Sequence, residues 1–344
     1  MADEQVMERP ALVSPPPPQA GPHRFAMLDG WRAVSILFVM AGHLLPIGPS
    51  RWGLNYVAAT GGMAIFFTLS GFLITRFLGQ KADIRVFAIR RLTRIVPLAW
   101  IALAVTLTIE RADGATVLAN ILFYANLPPD HIIEWASHLW SLDVEMQFYL
   151  GVALLVGVAG HRALYVLPLL CLGVTGLRIA QGIPISIVTW LRADEILAGG
   201  ILSLVYMGWF GPRPIALVRR CSVFVTFPLF LACSLPIGGP LAYLRPYAAA
   251  LMVGSTLYDP PKFLARLFEH RVTAYIATIS YALYIIHGIL RMTWLGDGDS
   301  PIQYVKRPLL FAATFLLAHL STFYMERPLT EAAKRWTRRW TVKV

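Results

Sequence analysis

Charged residues and cysteines are scarce in this 344-residue chain. Only 14% of its residues are Asp, Glu, Lys or Arg, whereas soluble globular proteins average about 25%, which argues against a soluble domain. The three cysteines, Cys171, Cys221 and Cys233, form no C-x-x-C pair. Neither a disulfide framework nor a metal site is therefore supported, and we expect no bound metal.

Apolar sequence is abundant instead: 57% of the residues are hydrophobic, and apolar runs of membrane length recur along the whole chain. This pattern predicts an all-α, polytopic helical membrane protein in contact with membrane lipids. The net charge of +11 could indicate nucleic-acid binding, but the basic residues cluster in short loops between apolar runs. Such clustering is typical of cytoplasmic loops, so we expect no nucleic-acid partner.

The order of apolar runs and basic loops predicts the topology. An even number of crossings must separate successive basic segments if all of these are cytoplasmic. Five apolar runs lie between Arg94 and Arg213, so one of them does not cross. The shortest, Ala115–Leu127, falls below the roughly 17–25 residues that span a bilayer, and we assign it as re-entrant or interfacial. We thus predict about ten transmembrane helices with both termini cytoplasmic. The predicted domains are a disordered cytoplasmic tail (1–24), a transmembrane domain (25–330) and a basic cytoplasmic tail (331–344).

The first apolar run, about Ala33 to Gly48, carries one ionisable side chain, His43, eleven residues after Arg32. Eleven residues are three helical turns plus about 20°, so the two side chains share a face and lie about 16 Å apart along the axis. We expect His43 near the middle of the bilayer core, facing a protein interior or a watery cavity, where neutral imidazole can act as a general base. In the alternative interpretation, Asp29 caps the helix, Arg32 anchors it at the headgroups, and His43 is a hydrogen-bonded polar residue between helices.

A second polar stripe has helical offsets of 3, 4 and 4 and consists of His138, Ser141, Glu145 and Tyr149. Serine and tyrosine in a membrane helix are usually plain hydrogen-bonding residues. A carboxylate such as Glu145 must find a partner or take up a proton, so packing alone explains it poorly.

Three further clusters need an explanation. The basic cluster Arg90, Arg91 and Arg94 is explained by cytoplasmic topology or, alternatively, by phosphate binding. In a later apolar run the side chains of Ser280, Tyr284 and His287 share one helical face. The run Glu326-Arg327-Pro328 is expected to end the last helix with an ion pair and a stop.

These motifs, taken together, resemble the membrane acyltransferase-3 family over about residues 25–330. Six segments match the family in its order: Leu28 to Arg32 with His43 (an R-x10-H pair), Phe66 to Thr75 (FFTLSGFLIT), Arg90 to Pro97 (RRxxRIxP), His138 to Leu150 (HLWSLxVExQFYL), Ile279 to His287 (ISYxLYxxH) and Tyr324 to Pro328 (YxERP). Departures from the family pattern are Trp31, Met146 and Gly288, which we expect to shape the acceptor site. No fused soluble esterase-like domain is expected.

The resemblance implies an inner-membrane O-acyltransferase that moves an acyl group, commonly acetyl from acetyl-CoA, onto a hydroxyl of a carbohydrate acceptor. The donor acyl-CoA is a substrate, and no tightly bound cofactor is expected. Exopolysaccharide, O-antigen, a lipid-linked glycan and a small metabolite all fit as acceptors, and acetyl or succinyl as the acyl group. The alternative function is a proton-coupled transporter that uses the intramembrane His and Glu residues.

The same resemblance, with the residue patterns above, gives the candidate site. The predicted catalytic residues are His43, Arg32, Glu145 and Asp29, and the predicted substrate-binding residues are Arg90, Arg91, Arg94, Ser141, His138, Tyr149 and His287. His43 either deprotonates the acceptor hydroxyl or is itself transiently acylated. Arg32 stabilises the oxyanion or fixes the donor, and Glu145 orients His43 or the acceptor.

Overall fold

The computed structural model describes residues 26–80 and 83–341, and every regular element in these residues is helical. The predicted tail 1–24 lies outside the described residues, and the all-α prediction is confirmed for the rest. The helices are α1 (Ala26–Leu44), α2 (Leu54–Gly79), α3 (Ile84–Ile109), α4 (Gly114–Ile121), α5 (Trp140–Ala159), α6 (Leu167–Gln181), α7 (Asp194–Tyr206), α8 (Pro212–Arg220), α9 (Val223–Ser234), α10 (Arg245–Tyr258), α11 (Lys262–Phe268), α12 (Arg271–Arg291), α13 (Ser300–Ser321) and α14 (Arg327–Thr341).

Helix α2 is packed between α1 and α7, and α1 in turn packs against α12. Glycines allow these close approaches: Gly71 on α2 faces the backbone carbonyl of Ile196, and a methyl group there would collide with it. On the other side of α2, the Ser35 hydroxyl donates to the Gly62 carbonyl at 2.8 Å. These contacts fix α2 against α7 and hold α1, with its polar residues, against α2.

Six helical stretches within the described residues are long and apolar enough to cross a membrane, and the bent pair α8–α9 would make a seventh. The chain is thus a multi-pass membrane protein. Helices α7 and α10, predicted to cross, have 13 and 14 residues, and α4, predicted not to cross, has eight. The ten crossings and the cytoplasmic termini stay a prediction. The six stretches are Leu54–Gly79, Ile84–Ile109, Glu134–Ala159, His161–Gln181, Arg271–Arg291 and Pro301–Trp340.

The last helix does not end at Glu326-Arg327-Pro328, which corrects that expectation. Helix α13 passes through a π-helical turn, Thr322–Glu326, directly into α14. Pro328 falls in the first turn of α14, where a missing backbone N–H costs little. Arg327 pairs with Glu331 at 3.2 Å, one turn further on, instead of with Glu326.

Candidate active site

Helix α1 ends one residue after His43, because Pro46 and the residue before it disfavour a further turn. The apolar run predicted a helix as far as Gly48, but α1 ends at Leu44. Asn55 satisfies the open helix end: its amide nitrogen donates to the carbonyls of Gly42, at 2.9 Å, and Leu45, at 2.5 Å. His43 is thereby held at a capped helix terminus.

Arg32 lies near the other end of α1 and pairs with Asp29, with 3.1 Å between Nη1 and Oδ1. Both side chains are about one-fifth exposed. Asp29 thus acts on Arg32 across one helical turn. Arg32 and His43 line two adjoining cavities, not a single one.

The inner cavity, of about 60 Å³, contains the predicted carboxylate Glu145. Glu145 is 5% exposed, and its Oε1 accepts from the Ser70 hydroxyl at 2.5 Å and from the Tyr149 hydroxyl. Two hydroxyl donors thus hold this carboxylate oxygen in place. The polar residues that line the inner cavity are Arg32, Ser35, Ser70, Arg91, Arg94, Ser141, Glu145, Tyr149, Ser280, Tyr281 and Tyr284.

The outer cavity, of about 480 Å³, is lined by His43 and His138. Nδ1 of His43 lies 3.0 Å from Nε2 of His287, and the two rings stack at an interplanar angle of 13°. The His138 ring meets the His287 ring edge to face, with 5.4 Å between centroids. Within residues 26–80 and 83–341, no group of three or more His, Cys, Asp or Glu side chains could hold a metal ion.

A third space, the basic cavity of about 730 Å³, collects positive charge from three helices. Six cationic side chains line it against one carboxylate, that of Glu326. Helix α14 forms part of the wall, and Arg90 on α3 donates from Nε to the Thr337 hydroxyl at 3.0 Å. The six cations are Arg90, Arg91, Arg94, Arg271, Arg327 and Lys334.

The three cavities lie in series and share walls. Arg91, Arg94 and Tyr281 line both the basic and the inner cavity. Met63 and Tyr284 line both the inner and the outer cavity. The structure therefore places the predicted arginines at one end of the series, Arg32 and Glu145 in the middle, and the histidines at the other end.

Tyr284 holds the wall between the inner and outer cavities. Its hydroxyl donates to the His138 backbone carbonyl and lies 2.6 Å from the Ser141 hydroxyl. Ser141, predicted to bind substrate, thus contacts α12 as well as the inner cavity. Gly288, a departure from the family pattern, lines the outer cavity against the His138 ring.

Sequence reasoning missed several residues of these cavities. No motif marks Arg271 or Lys334 as site residues, because basic residues at the ends of apolar runs are explained by topology alone. Ser70 lies inside a quoted motif, but nothing in the sequence placed it beside Glu145, 75 positions later.

A buried network of ion pairs contacts the outer cavity through Arg192. Arg178 pairs with Asp194, while Glu195 accepts from Arg245 Nε at 2.8 Å and lies 3.1 Å from Arg192 Nη2. All five side chains are at most 1% exposed. Arg192 also lines the outer cavity, so the network joins α6, α7 and α10 to the candidate site.

Comparison with known proteins gives one family. A family profile described as an acyltransferase domain (acyltransferase-3) matches residues 25–327. The peptidoglycan O-acetyltransferase OatA of Listeria monocytogenes is 25% identical, over 88% of this chain and 55% of its own length. The putative peptidoglycan O-acetyltransferase YrhL of Bacillus subtilis is 25% identical, over 92% of this chain and 57% of its own. The O-acetyltransferase OatA of Staphylococcus aureus is 24% identical, over 88% of this chain and 56% of its own length. The chain spans about half the length of these relatives, and no solved structure matches it.

Proposed function

This chain belongs to the acyltransferase-3 family, and from that premise we propose that it is an integral-membrane O-acyltransferase. It moves an acyl group, acetyl in the first instance, from acyl-CoA to a hydroxyl of a carbohydrate acceptor. The observation that carries the proposal is the series of three cavities, with cations at one end and an imidazole at the other.

The basic cavity is proposed to bind the phosphates of acyl-CoA. Six cations around one carboxylate favour a ligand with several negative charges, and arginines can hold phosphate oxygens with two parallel hydrogen bonds. Arg91 and Arg94 reach into the inner cavity, so a ligand held by them extends its acyl arm towards Arg32. The cavity opens on the cytoplasmic side in the ten-crossing topology, with both termini cytoplasmic and the chain in the inner membrane.

The outer cavity is proposed to take the acceptor. Its volume of about 480 Å³ lies within the range of small-molecule sites, and its lining offers imidazole, indole and carboxylate groups to a sugar. Relatives are named peptidoglycan O-acetyltransferases, which supports a glycan acceptor here. Exopolysaccharide, O-antigen and lipid-linked glycan remain within this class.

The wall at Met63 and Tyr284 is proposed to be the place of transfer. His43 removes the proton of the acceptor hydroxyl, and Arg32, about three helical turns away on α1, fixes the donor from the inner cavity. Asp29 holds Arg32 through their ion pair. Glu145, predicted to orient His43 or the acceptor, is held by two hydroxyls on the inner side, and we propose that it orients the donor instead.

The test is acyl transfer from labelled acetyl-CoA by purified protein in lipid nanodiscs, with His43→Ala as the variant. We expect the variant to bind donor and to transfer at least about a hundredfold more slowly, the size of a lost general base. The matched control is His161→Ala, which changes a histidine outside the three cavities and should retain wild-type transfer. Wild-type transfer by folded His43→Ala would refute the proposal.

The same assay separates an enzyme from a carrier. A proton-coupled transporter would not consume the thioester, whereas an acyltransferase releases free CoA in proportion to acylated acceptor. Release of CoA that depends on acceptor therefore supports transfer, and transport of intact ligand without CoA release contradicts it.

A further inference from the structure

His287 was predicted to bind substrate, but its position argues for another role. Its side chain is fully buried, and it is absent from the lining of the three cavities. Its two ring nitrogens are both engaged: Nδ1 lies 3.1 Å from the Leu283 carbonyl oxygen and Nε2 lies 3.0 Å from Nδ1 of His43. A ring with no free nitrogen and no exposed surface cannot touch the acceptor.

The backbone carbonyl determines where the protons lie in this pair. A carbonyl oxygen can only accept a hydrogen bond, so Nδ1 of His287 must carry the hydrogen. In neutral His287 the other nitrogen, Nε2, then has a lone pair and accepts. Nδ1 of His43 must therefore be the donor across the 3.0 Å contact. Neutral His43 consequently has its lone pair on Nε2.

We propose that His287 is a positioning residue that fixes His43 in the Nδ1–H form, with Nε2 as the basic nitrogen of acyl transfer. This inference rests on the function proposed above and assigns the atom within His43. The fixed chain runs from the Leu283 carbonyl through His287 to His43 and joins α12 to the end of α1. A partner on the second ring nitrogen is the general means by which proteins choose a histidine tautomer.

The transfer step follows with its protons accounted for. The acceptor hydroxyl gives its proton to Nε2 of His43 while its oxygen forms a bond to the acyl carbonyl carbon. The C–S bond then breaks, and the departing CoA thiolate takes the proton back from Nε2. Throughout, Nδ1–H of His43 stays bonded to His287, which accepts more strongly when His43 is an imidazolium.

The neighbouring histidine is held by a separate carbonyl. Nε2 of His138 lies 3.0 Å from the Ile285 carbonyl oxygen, so Nε2 carries its hydrogen. His138 touches His287 only through ring contact, at 5.4 Å between centroids. Loss of His138 should therefore leave the tautomer of His43 unchanged, which makes it the matched control.

The experiment compares His287→Leu with His287→Gln in lipid nanodiscs. Leucine removes the acceptor for His43 Nδ1–H, and kcat should fall about a hundredfold or more, with KM for acetyl-CoA changed less than about twofold. Glutamine offers a side-chain carbonyl near the position of Nε2, so the kcat of His287→Gln should be at least about tenfold higher than that of His287→Leu. An unchanged kcat in folded His287→Leu, or a Gln variant no better than Leu, would overturn the proposal.

A direct measurement covers the case in which the leucine variant does not fold. Nitrogen-15 NMR of wild-type protein labelled at histidine reports which ring nitrogen of His43 carries hydrogen, with His43→Gln used to assign the signal. Hydrogen on Nδ1, unchanged in His138→Asn, is expected. Hydrogen on Nε2 in the wild type would overturn the inference about His287, whereas only an active His43→Ala enzyme would overturn the proposed function.

Discussion

Replacement of Gly288 by alanine tests whether the imidazole cluster must keep its geometry. The new methyl carbon would lie 2.6 Å from Cγ of His138, whereas ordinary contact begins at 3.4 Å. Two other ring atoms, Cε1 and Nδ1, would lie closer still, so the ring or the helix must move by at least about 0.8 Å. The ring cannot yield freely, because its Nε2 is bonded to the Ile285 carbonyl and it packs against the Tyr284 and His287 rings.

A displacement of this size should be visible mainly in catalysis. Misplacement of a reacting group by about 1 Å can cost about a hundredfold in rate, or about 2.7 kcal/mol. Overpacking itself costs about 1–3 kcal/mol of stability, which a folded membrane protein can survive. We expect Gly288→Ala to bind acetyl-CoA normally, because the basic cavity is unaffected, and to transfer acetyl about a hundredfold more slowly.

Two comparisons make this prediction refutable. Gly151→Ala is the matched control, because a methyl group there meets no atom within 4 Å and should leave transfer unchanged. In a His138→Ala background the collision disappears, so Gly288→Ala should cost nothing further. Full transfer by Gly288→Ala, or the same loss in both backgrounds, would show that the close approach to His138 does not matter.

Three more outcomes follow from described contacts. Arg178→Met should lower the free energy of unfolding by about 3–5 kcal/mol, because it leaves the Asp194 carboxylate buried without its charged partner. In denaturant titrations in micelles, the double variant Arg178→Met with Asp194→Leu should recover most of that loss. A double variant as unstable as the single one would contradict this prediction. We expect isothermal titration to show about tenfold weaker acetyl-CoA binding in Arg271→Gln and in Lys334→Gln, with a smaller effect at high salt. Arg213 is exposed and lies outside the basic cavity, so Arg213→Gln should bind acetyl-CoA as the wild type does. The Thr116 backbone N–H donates to the Asp113 carboxylate, which caps α4, and this hydrogen bond holds the pKa of Asp113 below its usual value. The cap is therefore intact above the usual carboxyl pKa, and it is lost as the pH falls through the lowered pKa of Asp113. The protection of the Thr116 amide, measured against intrinsic exchange at the same pH, should fall on acidification, and not in Asp113→Asn.

Helical periodicity is local information, and it predicted what is local. The offset of eleven placed Arg32 and His43 on one face of α1, and the offsets of 3, 4 and 4 placed Ser141 and Glu145 on α5. Both placements concern residues within one helix. The resemblance to a family then said which of these helices belong to one site, although it gave no distances.

Contacts between distant segments could not be predicted in this way. His43 and His287 are 244 positions apart, and no pattern in either segment shows that the two rings meet. The end of α1 was missed because apolar character continues past Leu44, whereas Pro46 and the Asn55 side chain determine where the helix stops. Hydrophobicity reports burial, and helix ends depend on backbone hydrogen bonds.

The continuous last helix determines where this chain can be truncated without loss of the basic cavity. Pro301–Trp340 is 40 residues, or about 60 Å of rod, which is twice the thickness of a bilayer core. The family match stops at residue 327, where α14 begins, yet Lys334 of α14 lines the basic cavity and Thr337 holds Arg90 in its wall. A fragment trimmed to the matched region would keep Arg32 and His43 and lose one side of the basic cavity. Expression boundaries for this protein therefore belong after α14.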